Sequence, residues 1–301
     1  MLTVSKINSY AAHPKEFIED AELKYRDKVC ELAKTIAEDP QKKIVLLAGP
    51  SASGKTTTSH LLREELSSKN ISSAVVSLDN FYGGSHPMPT LEDGSPDFES
   101  VYSLDVEQIH RCLREIIQNG FTNMPVFDFL KHRRSDDTAL IDVRGGGILI
   151  VEGLHALNPV IADTLPAQNL FKIYISVNNS IYDDDGNKLL SSRKMRLMRR
   201  LSRDAVHRSS DALYTLHLWS AVVAGEEKYL YCFKPTADVR LGTLHDYEPC
   251  IFKNIILKLL ENLPKTAENY DYAMSLAKAL EQFQALSPEM VPDSSLIREF
   301  L

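Results

Sequence analysis

Two kinds of apolar pattern alternate along the chain. From about Pro14 to Ala37, the residues Phe17, Ile18, Leu23, Val29, Leu32 and Ile36 stand among charged neighbours, which predicts an amphipathic helix closed by Asp39-Pro40. Ile44-Val45-Leu46-Leu47-Ala48 is instead an unbroken apolar run, suited to a strand buried on both faces of a parallel sheet. A helix from near Lys55 to Ser68 and a strand around Ala74 to Ser77 follow. Asp105 can cap a helix whose apolar positions Val106, Ile109, Leu113, Ile116 and Ile117 share one face and which ends at Asn119-Gly120. Ile148 to Val151 and Phe171 to Val177 read as two more buried strands, with a short helix opened by Asn158-Pro159 between them. Then come a dense basic helix from about Ser192 to Arg208, a helix to roughly Tyr231, a strand near Ala237 to Leu241, two helices and a Pro-rich tail.

Strand and helix alternating in this way imply an α/β fold, a mostly parallel sheet with helices on both faces. The stretch from Asp79 to Ser103 has little periodicity and several Gly and Pro residues, so it is expected to be a long functional loop. Residues 178–191 are polar and look like an exposed insertion; Asp183 to Asp185 resembles part of a calcium loop but lacks the bidentate Glu, which leaves a solvated turn. No repeat or linker is visible. The expected organisation is a helical N-terminal extension over residues 1–40 and one domain over 41–301, with a mobile helical lid at about 192–208 and substrate-binding loops at about 79–135.

The chain has 301 residues, 44% hydrophobic and 25% charged, the balance of a globular protein rather than a disordered or fibrous one. Thirty-four Lys and Arg against 41 Asp and Glu give a net charge of −7, which disfavours nonspecific binding to nucleic acid or an anionic membrane. Any anionic ligand must be held by a local basic site. Cys30, Cys112, Cys232 and Cys250 form no CxxC pair, so neither zinc nor a disulfide framework is indicated. Without a signal-peptide core or an apolar run of about 18 residues, a cytoplasmic protein is expected, compatible with a homo-oligomer.

Gly49-Pro50-Ser51-Ala52-Ser53-Gly54-Lys55-Thr56 fits G-x-x-x-x-G-K-[ST] at every fixed position, between a strand and a helix. The glycines let backbone N–H groups face inward as an anion nest, and the helix N-terminus adds its dipole. A polyphosphate held by Gly49, Ser51, Ala52, Ser53, Gly54, Lys55, Thr56 and Thr57 is therefore expected. Lys55 would bridge the outer phosphates and Thr56 would ligate Mg²⁺, with Glu152, at the end of the Ile148 strand, as the second magnesium-side group. This is a P-loop NTPase signature, and ATP and Mg²⁺ are the expected cofactors.

The absence of an N-K-x-D segment argues against a regulatory GTPase, whereas a motor or pump ATPase could share the same loop. Polar residues after each strand favour a small-molecule kinase, because ligands in such sheets gather at the strands' carboxyl ends. Asp79 follows the second strand, placed to accept a proton from an attacking hydroxyl, with Phe81 and Tyr82 beside it for packing or stacking. The basic run Arg193, Lys194, Arg196, Arg199, Arg200, Arg203 and Arg208 is unusual in an acidic protein. Arg196, Arg199, Arg200 and Arg203 share a helical face with little acid among them, so the face should repel itself until an anion arrives. Closing over ATP, these guanidinium groups would stabilise charge on the transferring phosphoryl group.

These motifs resemble the uridine kinase and phosphoribulokinase family of P-loop kinases, and within it the bacterial uridine kinase-like nucleoside kinases. The resemblance rests on the Gly49 loop, Ser77 to Tyr82, Pro125-Val126-Phe127-Asp128-Phe129 with His132, Val151-Glu152-Gly153, and Arg196 to Asp204. It covers the chain from about residue 10 to the Ile297-Arg298-Glu299-Phe300 tail. It implies ATP-dependent phosphorylation of a nucleoside 5′-hydroxyl, with Asp79 as base, Lys55, Arg199 and Arg203 on the phosphates, and Arg196, Arg208 and Tyr82 in the substrate site. Glu99 stands where the family has an Asp on the ribose diol; Phe127 and Phe129 would flank the base and His132 would hydrogen-bond its edge. Uridine kinases usually carry Tyr where this chain has Phe127, which removes one polar contact to the base. A kinase of another small alcohol, such as a phosphosugar or pantothenate, and a nucleotide-binding regulator without turnover are the alternatives. His155, His207, Trp219, Leu216, Tyr229 and Tyr231 carry no assigned chemistry, the last four reading as core.

Overall fold

The computed structural model describes residues 1–83, 87–90, 94, 96–128 and 133–301. A two-residue strand β1 (Leu2–Thr3) leads into helices α1 (Val4–Ala11) and α2 (Pro14–Ala37), then β2 (Ile44–Ala48), α3 (Lys55–Ser68) and β3 (Ser73–Ser77). Helix α4 (Val106–Asn119) precedes the hairpin β4 (Phe121–Asp128) and β5 (Arg133–Asp142). Next come β6 (Ile148–Glu152), α5 (Pro159–Ala162), β7 (Leu170–Ser176), β8 (Ile181–Tyr182) and β9 (Lys188–Leu190). The rest is largely helical: α6 (Ser192–His207), α7 (Ala212–Tyr229), β10 (Val239–Gly242), α8 (Glu248–Leu260) and α9 (Tyr270–Leu280).

The apolar run of β2 becomes the middle strand of a five-stranded sheet of order β10-β7-β2-β6-β3, parallel at every pairing. Its alternate residues serve two different cores. Val45 and Leu47 pack with Ile150, Ile173 and Ile175 under α2, α3, α6 and α8, while Ile44, Leu46 and Ala48 pack with Leu149, Val151 and Leu170 under α4 and α5. Burial on both faces is why the strand has no polar alternation. The carboxyl ends of β2, β3 and β6 open at one edge, where the ligand crevice of such sheets lies.

Local sequence signals set the helix ends. Asp105 accepts from the Gln108 amide at 3.0 Å to start α4, and Gly120 ends it with φ +77°. Ser191 and Asp211 cap α6 and α7 in the same way.

Four expectations change. The 1–40 segment is no appendage: Ile7, Ala11, Val29 and Ile36 are fully buried in the same core as β2. Residues 121–128 and 133–135, within the segment expected to be substrate-binding loops, belong to the antiparallel strands β4 and β5. Residues 178–191 are not wholly exposed, because β8 pairs parallel with β1 and antiparallel with β9, and Ile181 and Leu190 are fully buried. The Asp183 turn is as expected, accepting from the Asn187 amide at 2.7 Å. Finally, the helix expected to act as a mobile lid is a core element, since Met195, Leu197, Met198 and Leu201 of α6 lie in the main core at 0–1% exposure.

Candidate functional site

Residues 49–56 turn from β2 into α3 with Ala52 at φ +57° and Gly54 at φ +87°. A side chain at Gly54 would also collide with Leu296, its Cβ 2.6 Å from Leu296 Cδ1. For Ala52, which has a Cβ, the left-handed conformation costs about 1 kcal/mol or more and needs support from elsewhere. That support comes from α6. Arg199 Nη1 donates to the Ala52 carbonyl at 3.3 Å, Arg196 Nε to the Ser51 carbonyl at 2.9 Å, and Arg200 Nη1 to Ser51 Oγ at 2.8 Å. Lys55 Nζ donates to the Pro50 carbonyl at 3.2 Å.

The basic face of α6 is therefore divided, contrary to expectation. Arg196 Nη2 donates to both carboxylate oxygens of Glu226 at 2.5 and 2.6 Å, and Arg199 meets both oxygens of Glu248 at 2.7 Å. These side chains are 0–2% exposed. The acid missing along α6 itself is supplied by α7 and α8, so these two arginines do not wait for an anion. Arg200, Arg203 and Arg208 point the other way, into a cavity of about 290 Å³, although Asp204 pairs with each of them at 3.1–3.6 Å. Burial lowers the pKa of Arg200 and Arg208.

The cavity lies at the carboxyl edge of the sheet and joins residues from the loop to acidic side chains from other elements. Ser51, Ala52, Ser53, Gly54, Lys55 and Thr56 line one wall; Asp79, Tyr82, Glu99 and Glu152 line the other. Asp79 opens onto the cavity from the 3-10 turn after β3, where Ser77 Oγ accepts from its amide at 3.3 Å. Surrounding protein raises its pKa by desolvation, opposed in part by Lys55 and Arg208. Glu152, at the end of β6, is buried and shifted up to about 7, first by desolvation, with Lys55 lowering and Asp79 raising it. Glu99 reaches about 7 by desolvation and by repulsion from Glu226. Glu99 packs against α7 at Gly225, where a Cβ would lie 2.7 Å from its Cβ and Cγ. A small scaffold holds Glu99 in place: Asp97 accepts from the Glu99 amide at 3.2 Å and from Tyr229 Oη at 2.7 Å, and the His155 ring lies 6.0 Å from Tyr229. His155 is buried and its pKa falls to about 4, chiefly through desolvation, so it is neutral near pH 7.

Tyr82 donates to the Phe98 carbonyl at 3.0 Å and meets Phe127 edge-on, ring centroids 6.2 Å apart. Phe127 sits on β4, fixed to the Asp79 turn by its amide donating to Asn80 Oδ1 at 3.2 Å. Phe129 and His132 lie outside the described residues. Gly49 serves the strand end and Thr57 sits on the first turn of α3, where its N–H and hydroxyl both face Glu299. The cavity thus gathers most of the expected residues, Arg200 among them, leaves Arg196 and Arg199 behind the loop, and adds Leu154, Val222, Glu226 and Glu299. Glu226 had a legible signal. It falls in line with Thr215, Trp219 and Val222 on the buried stripe of α7, and an acid on such a stripe needs a partner. Tyr231, read as core, donates to Glu226 at 3.0 Å and accepts from Arg196.

The profile of the Phosphoribulokinase / Uridine kinase family matches residues 44–246. The uridine kinase of Saccharomyces cerevisiae is 28% identical over 225 residues, 73% of this chain and 40% of that protein's length. The uridine kinase of Staphylococcus aureus (strain JH9) is 27% identical over 199 residues, 65% of this chain and 85% of its own. A solved structure from Bacillus stearothermophilus, described as a possible uridine kinase, superposes with a TM-score of 0.47 at 18% identity, covering 72% of this chain and 98% of that one. No described helix is long and apolar enough to cross a membrane.

Proposed function

Because the chain belongs to the phosphoribulokinase and uridine kinase family, we propose that it transfers a phosphoryl group from ATP to the 5′-hydroxyl of a nucleoside, uridine or cytidine, in a cytoplasmic salvage reaction. The observation that carries this reading is the convergence, in one cavity, of the phosphate loop with Asp79 and Glu99 from two loops and Glu152 from the end of β6. A donor phosphate and an acceptor alcohol can meet there.

In this reading the N–H groups of Gly54 to Thr57 and the Lys55 ammonium hold the polyphosphate. Asp79 takes the proton from the attacking hydroxyl as the new P–O bond forms and the bond to the leaving ADP oxygen breaks. Burial raises its pKa, which makes it a stronger base once ionised, and Lys55 and Arg208 keep the ionised form accessible. Arg200, Arg203 and Arg208 face the cavity and would offset charge on the transferring group. Arg196 and Arg199 act only through the loop's shape. Glu99, braced by Asp97 and Gly225, would hold the ribose diol, with Tyr82 and Phe127 beside the base.

The donor set suits a divalent cation. Thr56 offers a hydroxyl at the mouth of the cavity, and Glu152 a carboxyl that burial keeps near neutrality until a cation offsets its charge. When bound with the nucleotide, Mg²⁺ supplies charge neutralisation at the phosphates.

Glu99 and Phe127 also support a second reading, a kinase of another small alcohol, because one is longer than the family's Asp and the other lacks the usual hydroxyl. A coupled ADP-release screen of uridine, cytidine, a purine nucleoside, phosphosugars and pantothenate separates the two. Release stimulated most by a pyrimidine nucleoside supports the first; stimulation by a non-nucleoside alone overturns it. Nucleotide binding with no stimulated release would instead mark a regulator.

A further inference from the structure

The first-turn amides of α3 have no partners within the helix, and the phosphate loop aims them at an anion. One of them is already taken by an acid from the far end of the sequence. The Thr57 amide and hydroxyl both donate to Oε2 of Glu299, at 3.3 and 2.7 Å. Glu299 also lines the cavity, and its charge acts on Glu152 and Arg208. A carboxylate is favoured at a helix N-terminus for the same reason that a phosphate is. The two therefore compete for one place.

We propose that Glu299 is a charge-selecting residue of the nucleotide site: a polyphosphate binds by displacing the carboxylate from Thr57, and a nucleotide without a bound cation is penalised most. The inference rests on the phosphate-loop reading above. Only the side chain of Glu299 moves. Leu296, Ile297 and Phe300 are fully buried, Leu296 fills the space over Gly54, and Phe300 lies under the Arg199 guanidinium at 5.0 Å. Ser295 is tied to Glu22 at 2.6 Å. Detaching the segment would expose three apolar side chains, whereas rotating Glu299 breaks only two hydrogen bonds. The segment is thus a fixed mount carrying a movable charge.

Titration calorimetry of ADP into wild type, Glu299→Gln and Glu299→Ala, each with and without Mg²⁺, tests this. Gln keeps the size and one acceptor but loses the charge. Both variants should bind ADP about tenfold more tightly without Mg²⁺, the scale of one charge-assisted hydrogen bond at a helix terminus, and gain less with Mg²⁺, which already offsets phosphate charge. Hydrogen exchange across residues 295–300 should be unchanged by ADP. Equal or weaker binding by both variants at unchanged Tm overturns the proposal, as does exchange that rises across the segment when ADP binds. Failure of all three proteins to bind ADP overturns the phosphate-loop reading itself, a result distinguishable from the others.

Discussion

On the phosphate-loop wall of the cavity, each arginine that grips the loop from behind has a buried glutamate of its own, Arg196 with Glu226 and Arg199 with Glu248. On the facing wall, Asp79, Glu99 and Glu152 all have their pKa raised by burial, and the charge of Asp79 raises Glu152 further. The arginine–glutamate pairs of the first wall are complete before any ligand arrives, so the nest holds its shape and an entering phosphate would have the Glu299 carboxylate to displace. The second wall carries acids whose ionised form burial disfavours, and its carboxylates gain by taking up a proton or by taking a cation or hydroxyl as partner. Donor binding calls for preorganisation and proton transfer calls for a base of raised pKa; the two walls differ in the way those tasks require.

The sharpest break of this contrast is Glu248→Ala. It leaves the Arg199 guanidinium buried without its carboxylate, and removing one partner of such a pair costs about 3–5 kcal/mol. Denaturant unfolding should show that loss, together with weaker ADP binding, because Arg199 also holds the Ala52 carbonyl. A loss under about 1 kcal/mol would mean that the pair does not support the loop.

On the opposite wall, Asp79→Asn should leave stability and ADP affinity nearly unchanged and lower kcat by about 10² or more, the scale of general base catalysis. If kcat survives and only the acceptor KM rises, Asp79 binds the acceptor and the base lies elsewhere.

A smaller effect comes from Glu152. The unfolded chain releases this proton near 4.5 and the folded one near 7. Between these values the folded state binds more protons, so stability falls as pH rises and levels off above about 7, by up to about 3 kcal/mol for the one group. Glu152→Gln should flatten the fall in Tm between pH 5 and 8, and Mg²⁺ with ADP should restore wild-type stability at the upper end. A wild-type Tm that is flat with pH contradicts the raised pKa of this wall.

The smallest effect is at Phe127, where Tyr restores a hydroxyl beside Tyr82. Phe127→Tyr should shift kcat/KM for uridine relative to a purine nucleoside by about 1–3 kcal/mol. Unchanged ratios would place the base elsewhere.

The two walls were also unequally legible. The phosphate loop and β2 could be read directly, because an all-apolar run and a fixed glycine spacing are local signals, and Asp79 and Glu152 follow from strand ends. The arginines of α6 were visible but their role was not, since Glu226 and Glu248 come from other helices. Glu299 had no signal, because its partner Thr57 lies on the opposite side of the sequence. The β5 strand was hidden for a different reason: Arg133 to Asp142 is polar and largely exposed, and its strand form comes from pairing with β4 rather than from its own pattern. Likewise, nothing in residues 178–191 reveals that Ile181 pairs with Leu2.

The central claim is transfer to a nucleoside hydroxyl, as opposed to hydrolysis or transfer to another alcohol. Phosphorus-31 NMR of the protein incubated with ATP, Mg²⁺ and uridine or cytidine follows every phosphate at once. The account predicts a nucleoside 5′-monophosphate resonance growing in step with ADP, abolished in Lys55→Ala. ATP consumed to ADP and inorganic phosphate alone, or no consumption with either nucleoside while another alcohol is phosphorylated, would contradict it.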